Sequence, residues 1–258
     1  MAEVHYVEQG NSAAPPLVLA NSLGTTLAMW DPQAGALARR FRLIRYDHRG
    51  HGRTPTVDGP YEIADLARDV LQLLDRLEIE KTSFCGVSVG GMVGIWLAAH
   101  VPERIEGLIL CCSSSYMGPA RAWAERAAAV REAGSMEVIA DAVLARWLTP
   151  AYAAHHPHVR ERLRAMLIAT SPESYAAYCG AIERLDLRNK LAAVRAPTLV
   201  VAGEHDTAAP PADHAQPIVD GVPGARLALV VAGHLANVER PDAVTYLILD
   251  HLDPKEPQ

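Results

Sequence analysis

Several features are scarce in this chain, and each scarcity excludes something. Cysteine is one: there are four among 258 residues, Cys85, Cys111, Cys112 and Cys179. None stands in a CxxC or Cys/His spacing, so no metal site is written into the sequence. Three of the four lie in apolar runs, the setting of buried reduced thiols, which fits a reducing cytoplasm. Long apolar runs are missing too. Nothing approaches the ~20 residues that a membrane-spanning helix needs, and Met1 to Gln9, with Glu3, His5 and Glu8, lacks the apolar stretch of a signal peptide. There is no surplus of basic charge either. Lysine and arginine number 24 against 30 acids, a net charge of -6 with a pI near 6.0, which argues against nucleic acid or an anionic membrane as a general partner. The expectation is a cytoplasmic protein with neither of those partners.

What is present is an ordinary globular composition, 50% hydrophobic and 21% charged, so wholesale disorder is excluded. Short apolar runs alternate with longer helix-patterned stretches. Val4 to Val7, Leu17 to Ala20, Arg42 to Tyr46, Thr82 to Cys85, Ile105 to Cys112, Thr198 to Ala202 and Ala225 to Val231 read as strands. Ile63 to Leu77, Gly91 to His100 and Asp242 to Leu252 read as helices. Runs such as Leu-Val-Leu-Ala are continuously apolar, as strands covered on both faces are. The pattern predicts an α/β fold with a mostly parallel, doubly wound sheet, the whole chain, residues 1–258, forming a single domain. Gly118 to Lys190 breaks the rhythm: it holds no convincing strand, has helical periodicity, and is interrupted by Pro150, Pro157 and Pro172. It reads as a helical insertion between two strands. It carries ten basic residues against eight acidic ones, a surplus of +2, whereas the remainder sums to -8. The tail Asp253 to Gln258 is polar, with two prolines, and reads as frayed.

The strongest chemical signal is Gly86-Val87-Ser88-Val89-Gly90, which follows one strand and opens a helix. A serine on such a turn needs small neighbours so that the backbone can approach closely, and the helix N-terminus aims free N–H groups where negative charge develops in acyl transfer. A serine hydroxyl is a poor nucleophile without a base. Candidates stand at the ends of two later strands: Asp206 in Gly-Glu-His-Asp and His234 in Ala-Gly-His, with Glu204 as a rival acid nearer its strand. Catalytic groups of open α/β sheets gather at the carboxyl ends of strands. Ser88 is therefore expected to attack, His234 to act as base and then acid, and Asp206 to orient the imidazole. The backbone N–H groups of Val89 and of Leu23, in Asn21-Ser22-Leu23-Gly24-Thr25, are the expected oxyanion donors.

With these residues placed, the chain resembles the α/β-hydrolases over nearly its full length, and the insertion resembles their cap. Asp47-His48-Arg49-Gly50-His51-Gly52 is similar to a structural loop of that superfamily, so neither histidine is taken as catalytic. Asn-Ser-Leu-Gly-Thr, Met29-Trp30, Arg146-Trp147-Leu148-Thr149-Pro150 and Ala-Gly-His-Leu-Ala-Asn-Val-Glu resemble the 3-oxoadipate enol-lactonases, cofactor-free enzymes of aromatic catabolism in the β-ketoadipate pathway. The resemblance implies hydrolysis of a small anionic lactone through an acyl-enzyme, with no metal or cofactor. On that reading Arg131 and Arg146 are candidate carboxylate clamps, and Trp123 and Trp147 are candidates for the pocket roof. His155-His156-Pro157-His158 reads as a solvated turn rather than a metal site. Carboxylesterase, perhydrolase and carbon–carbon hydrolase activities share the same three residues, and a ligand-binding receptor on this fold is the alternative from another class.

Overall fold

Seven of the apolar runs assemble into one sheet in the computed structural model, which describes residues 3–252; the tail 253–258 lies outside the described residues. The strands are β1 (Tyr6–Gln9), β2 (Pro16–Ala20), β3 (Arg42–Tyr46), β4 (Thr82–Val87), β5 (Ile105–Cys111), β6 (Thr198–Gly203) and β7 (Arg226–Val230). Their order is β1-β3-β2-β4-β5-β6-β7, and only β1 runs antiparallel. β1 begins two residues later than its apolar run suggests, because its register is set by β3, with Tyr6 opposite Tyr46 and Gln9 opposite Leu43. β4 and β6 are buried along their whole length, which is why their sequences do not alternate.

The helices are α1 (Asp31–Leu37), α2 (Ile63–Arg76), α3 (Val89–His100), α4 (Ala120–Ala133), α5 (Glu137–Trp147), α6 (Pro150–His155), α7 (Pro157–Ile168), α8 (Pro172–Glu183), α9 (Ala215–Gly221), α10 (Ala236–Glu239) and α11 (Pro241–Leu252). α2 shows why such segments fold as they do. Ile63, Leu66, Ala67, Val70, Leu73 and Leu74 recur at helical spacing and are all buried, while Glu62 and Asp65 close a reciprocal capping box at its start. Each large aliphatic side chain of that stripe stabilises by roughly 1.5–3 kcal/mol. α1 packs on α10 and α11, and α2 packs on α3, so the sheet is flanked by two separate helix groups.

Five helices, α4 to α8, lie between β5 and β6. The prolines that interrupt this segment are starts rather than breaks: Pro150, Pro157 and Pro172 each occupy the first turn of a helix, where a missing N–H costs nothing. Thr149 and Ser171 cap two of those starts through their hydroxyls. The His155–His158 cluster is therefore a junction between two helices, not a turn, and Tyr152 packs on His156 with ring centroids 4.2 Å apart. Among the described residues no group of three or more His, Cys, Asp or Glu is arranged to hold a metal ion. None of their helices is long and apolar enough to cross a membrane.

Candidate active site

The chain runs from β2 through α1 to β3 on one side, then crosses to β4 on the other. The carboxyl ends of β2 and β4 consequently diverge into a crevice, the usual place for ligands in open α/β sheets. Ser88 stands there, between the last residue of β4 and the first of α3, with φ 55° and ψ -118°. A non-glycine residue held in that region is strained, and the surroundings must enforce it. They do so by close contact. A Cβ on Gly86 would sit 2.2 Å from the carbonyl carbon of Gly90, and a Cβ on Gly90 would sit 2.6 Å from Ala20 O. Only glycine at both positions lets strand and helix approach so nearly. The elbow is then pinned: Ser88 N–H donates to Cys111 O (2.9 Å), and Ser113 Oγ donates to Ser88 O (2.8 Å).

His234 and Asp206 come from the loops after β7 and β6 and are both 4% exposed. His234 Nδ1 lies 2.8 Å from Asp206 Oδ2. The other carboxylate oxygen, Oδ1, accepts the N–H groups of Ala208 (2.8 Å) and Ala209 (2.9 Å). The acid is thus fixed as an acceptor, so the imidazole donates Nδ1–H to it and keeps Nε2 free to take a proton. Ser88 and His234 line the same cavity. Glu204, the rival acid, is exposed; its N–H pairs with Val230 O beside β7.

The loop after β2 faces the elbow. Ser22 N–H points to Met29 Sδ (3.4 Å) and Gly24 N–H donates to His51 Nε2 (2.9 Å). On the elbow side Ser88 N–H is engaged as described, and Gly90 N–H donates to Asn21 O (3.1 Å). That leaves the N–H groups of Leu23 and Val89 without a protein acceptor among the described residues. Two buried histidines prop the loop from below. His48 Nε2–H donates to Asn21 O (2.9 Å). His51 donates Nδ1–H to Arg49 O (3.0 Å), which fixes the tautomer that accepts from Gly24. Burial, foremost, holds both imidazoles neutral: His48 is pushed below its usual range, and His51 down to about 3, with competition from the neighbouring His48 ring for a proton adding to the effect.

Over the crevice, the insertion contributes Trp123 and Arg126 from α4, Arg146 and Trp147 from α5, and Tyr175 from α8 to the cavity lining. The Arg126 guanidinium lies 4.5 Å above the Trp123 ring. Neither Arg126 nor Arg146 has a carboxylate within ion-pair distance among the described residues. Burial first, and then the like charge of Arg126, pushes the Arg146 guanidinium below its usual value. The roof therefore carries two uncompensated positive charges.

The sequence profile of the alpha/beta hydrolase fold matches residues 15–241. The chain belongs to that family. It is 38% identical over 245 residues to 3-oxoadipate enol-lactonase 2 of Acinetobacter baylyi, covering 95% of this chain and 91% of the relative. The crystal structure of the enol-lactonase from Burkholderia xenovorans LB400 superposes with a TM-score of 0.95 at 43% identity, covering 97% of this chain and 96% of that one. RutD of Variovorax paradoxus, named as a candidate carbamate hydrolase, is 31% identical and covers 96% of each chain.

Within this α/β-hydrolase the sequence-derived residues are not all where they were expected. Ser88, Asp206, His234, Leu23 and Val89 converge at the crevice, and Trp123, Arg146 and Trp147 line its roof. Arg131 does not: it lies exposed at the last turn of α4. Arg126 takes the place assigned to it. Its place three residues after Trp123, one helical turn along, makes it a neighbour of that ring but does not rank it above Arg131. Tyr175, Met117 and Val143 also line the cavity without having been singled out; Tyr175 is buried in α8 and looks like core from its sequence alone.

Proposed function

We propose that this α/β-hydrolase opens the ring of a small enol-lactone bearing a carboxylate, as in the conversion of 3-oxoadipate enol-lactone to 3-oxoadipate in the catabolism of aromatic compounds. The observation that carries the substrate class is the pair of uncompensated guanidiniums, Arg126 and Arg146, over Ser88. A desolvated cation without a partner is costly, and an anionic ligand offsets that cost with charge-assisted, bidentate hydrogen bonds. The enol-lactonase names among the relatives support the same class of substrate.

The chemistry follows from the geometry. His234 Nε2 takes the Ser88 proton as Oγ attacks the lactone carbonyl, and Asp206 steadies the imidazolium that forms. The free N–H groups of Leu23 and Val89 receive the oxyanion. The ring C–O bond breaks, the enol oxygen leaves with a proton from His234, and the enol becomes a ketone. Water activated by His234 then releases the acid and restores Ser88.

The test compares the enol-lactone with p-nitrophenyl acetate in the wild type and in an Arg126→Met/Arg146→Met variant. Each hydrogen bond to a charged group contributes about 1.5–3 kcal/mol, so kcat/KM for the lactone should fall by a factor of at least about 100 while the neutral ester is nearly unaffected. Equal losses on both substrates, or a wild type that prefers the neutral ester or a carbamate, refute the assignment.

A further inference from the structure

Glu239 ends α10, five residues after His234, and is 4% exposed. Its carboxylate has no cation within ion-pair distance among the described residues. It is satisfied instead by three neutral donors. Oε1 accepts Thr149 N–H (2.6 Å) and Gly233 N–H (3.2 Å), and Oε2 accepts Thr149 Oγ–H (2.9 Å). Gly233 immediately precedes His234. Leu235, which follows it, donates its N–H to Trp147 O (3.0 Å). Both backbone neighbours of His234 are thus fastened to the same short stretch of the insertion, one directly and one through Glu239. That stretch, Trp147 to Thr149, continues from Arg146 and Trp147, which line the roof of the cavity. The junction is tight: a Cβ on Gly233 would sit 2.9 Å from Glu239 Oε1 and 3.1 Å from Trp147 O.

We propose that Glu239 is a positioning residue for the reaction: it locks the loop carrying His234 to the roof segment Trp147–Thr149, so that the base and the substrate-facing wall are held in register by one carboxylate. The proposal rests on the serine-hydrolase reading of Ser88, Asp206 and His234. The reason for a carboxylate is donor arithmetic. All three partners are donors, and an ionised carboxylate is acceptor-only. A buried charge satisfied by N–H and O–H groups rather than by a counter-ion places geometry above attraction, because each bond fixes an angle as well as a distance. Displacement of a catalytic group by about 1 Å costs on the order of a hundredfold in rate.

The experiment measures inactivation by diethyl p-nitrophenyl phosphate, an uncharged organophosphate. Ser88 Oγ forms the new bond to phosphorus, p-nitrophenolate leaves, and the serine proton passes to His234. Glu239→Met keeps the length and removes every acceptor. Its inactivation rate and its kcat should fall by at least about tenfold, and the downfield NMR signal of the His234–Asp206 proton should shift or vanish. Glu239→Gln should stay within about threefold of the wild type, because the Thr149 hydroxyl is able to turn and accept from the new amide. If Glu239→Met does not fold, Glu239→Gln combined with Thr149→Val, which removes that escape, should show the same losses. An unchanged rate and unchanged NMR signal in the folded Met or double variant overturn the proposal. Losses that merely follow the folded fraction overturn it as well. A wild type that does not react, or a Ser88→Ala variant that reacts equally fast, overturns the underlying site, and that result appears without any change at Glu239.

Discussion

His51 offers a quantitative handle on the loop opposite Ser88, because its task there requires a neutral ring. Nε2 must accept from Gly24 N–H and Nδ1–H must donate to Arg49 O, so a proton on Nε2 breaks the first bond. Burial pushes the folded-state value to about 3, whereas the unfolded chain binds the proton near 6.5. Between those limits the unfolded state holds more protons than the native state, so stability rises with pH and is lost as pH falls from about 6.5 to about 3. The linkage works out to about 3 kcal/mol lost from this group between pH 7 and pH 4. His51→Gln keeps an acceptor for Gly24 and cannot titrate. Urea unfolding of both proteins at half-unit steps of pH should therefore show the wild type losing about 3 kcal/mol relative to the variant over that interval. A difference between the two curves that stays constant within about 0.5 kcal/mol would refute the claim that a neutral, buried His51 holds the loop.

Two other substitutions probe the frame around the site. Gly90→Ala places a methyl group 2.6 Å from Ala20 O, a backbone atom held in the sheet. The strand and helix must separate, which should cost about 1–3 kcal/mol in thermal or urea unfolding and lower kcat more than KM, because the N–H of Val89 moves with the helix. Arg49→Met should cost about 3–5 kcal/mol of stability. Arg49 and Asp69 form a buried pair through Nε to Oδ2 (2.7 Å) and Nη2 to Oδ1 (2.5 Å), and the change leaves the Asp69 charge without its cation; a loss below about 1 kcal/mol would show that the pair is dispensable.

Much of this was legible in the residues, and the limits have physical causes. Strands such as β2, β4 and β6 were readable because buried parallel strands are continuously apolar, and Ser88 because its glycines answer a local steric demand. The choice of Asp206 over Glu204 rested on distance from the strand end, and direction is what the structure adds: Asp206 turns to His234 and Glu204 to solvent. Arg126 against Arg131 was not decidable from α4 at all. The buried stripe of α4 consists of Ala127 and Val130, with Trp123 half-buried beside them. At 100° per residue Arg126 and Arg131 lie about 70° to either side of the stripe's centre. The periodicity gives them equal standing, and only the packing of α4 on α8 turns one towards the crevice. The link from Glu239 to Thr149 spans 90 residues, and no local pattern reports such a contact.

The insertion leaves the carboxyl end of β5 and returns to β6, its direct neighbour in the sheet. To the sheet, then, everything from α4 to α8 is a single connecting loop, and the entropy of closing a loop rises only with the logarithm of its length, about 0.6 kcal/mol for each doubling. The segment over the crevice is free to lengthen, shorten or be exchanged at almost no cost to the strand register below it. Three parts of it are tied to the floor: the passage from Trp147 to Thr149; Tyr152, whose hydroxyl donates to Val238 O; and α8 with its C-cap, where Ser174 Oγ donates to Thr56 Oγ1 and Arg184 to Tyr61 O. A library that varies α4, α6 and α7 while keeping Trp147 to Thr149, Tyr152, α8 with its C-cap and Glu239 should return a high fraction of folded chains with new pocket walls above an unaltered floor.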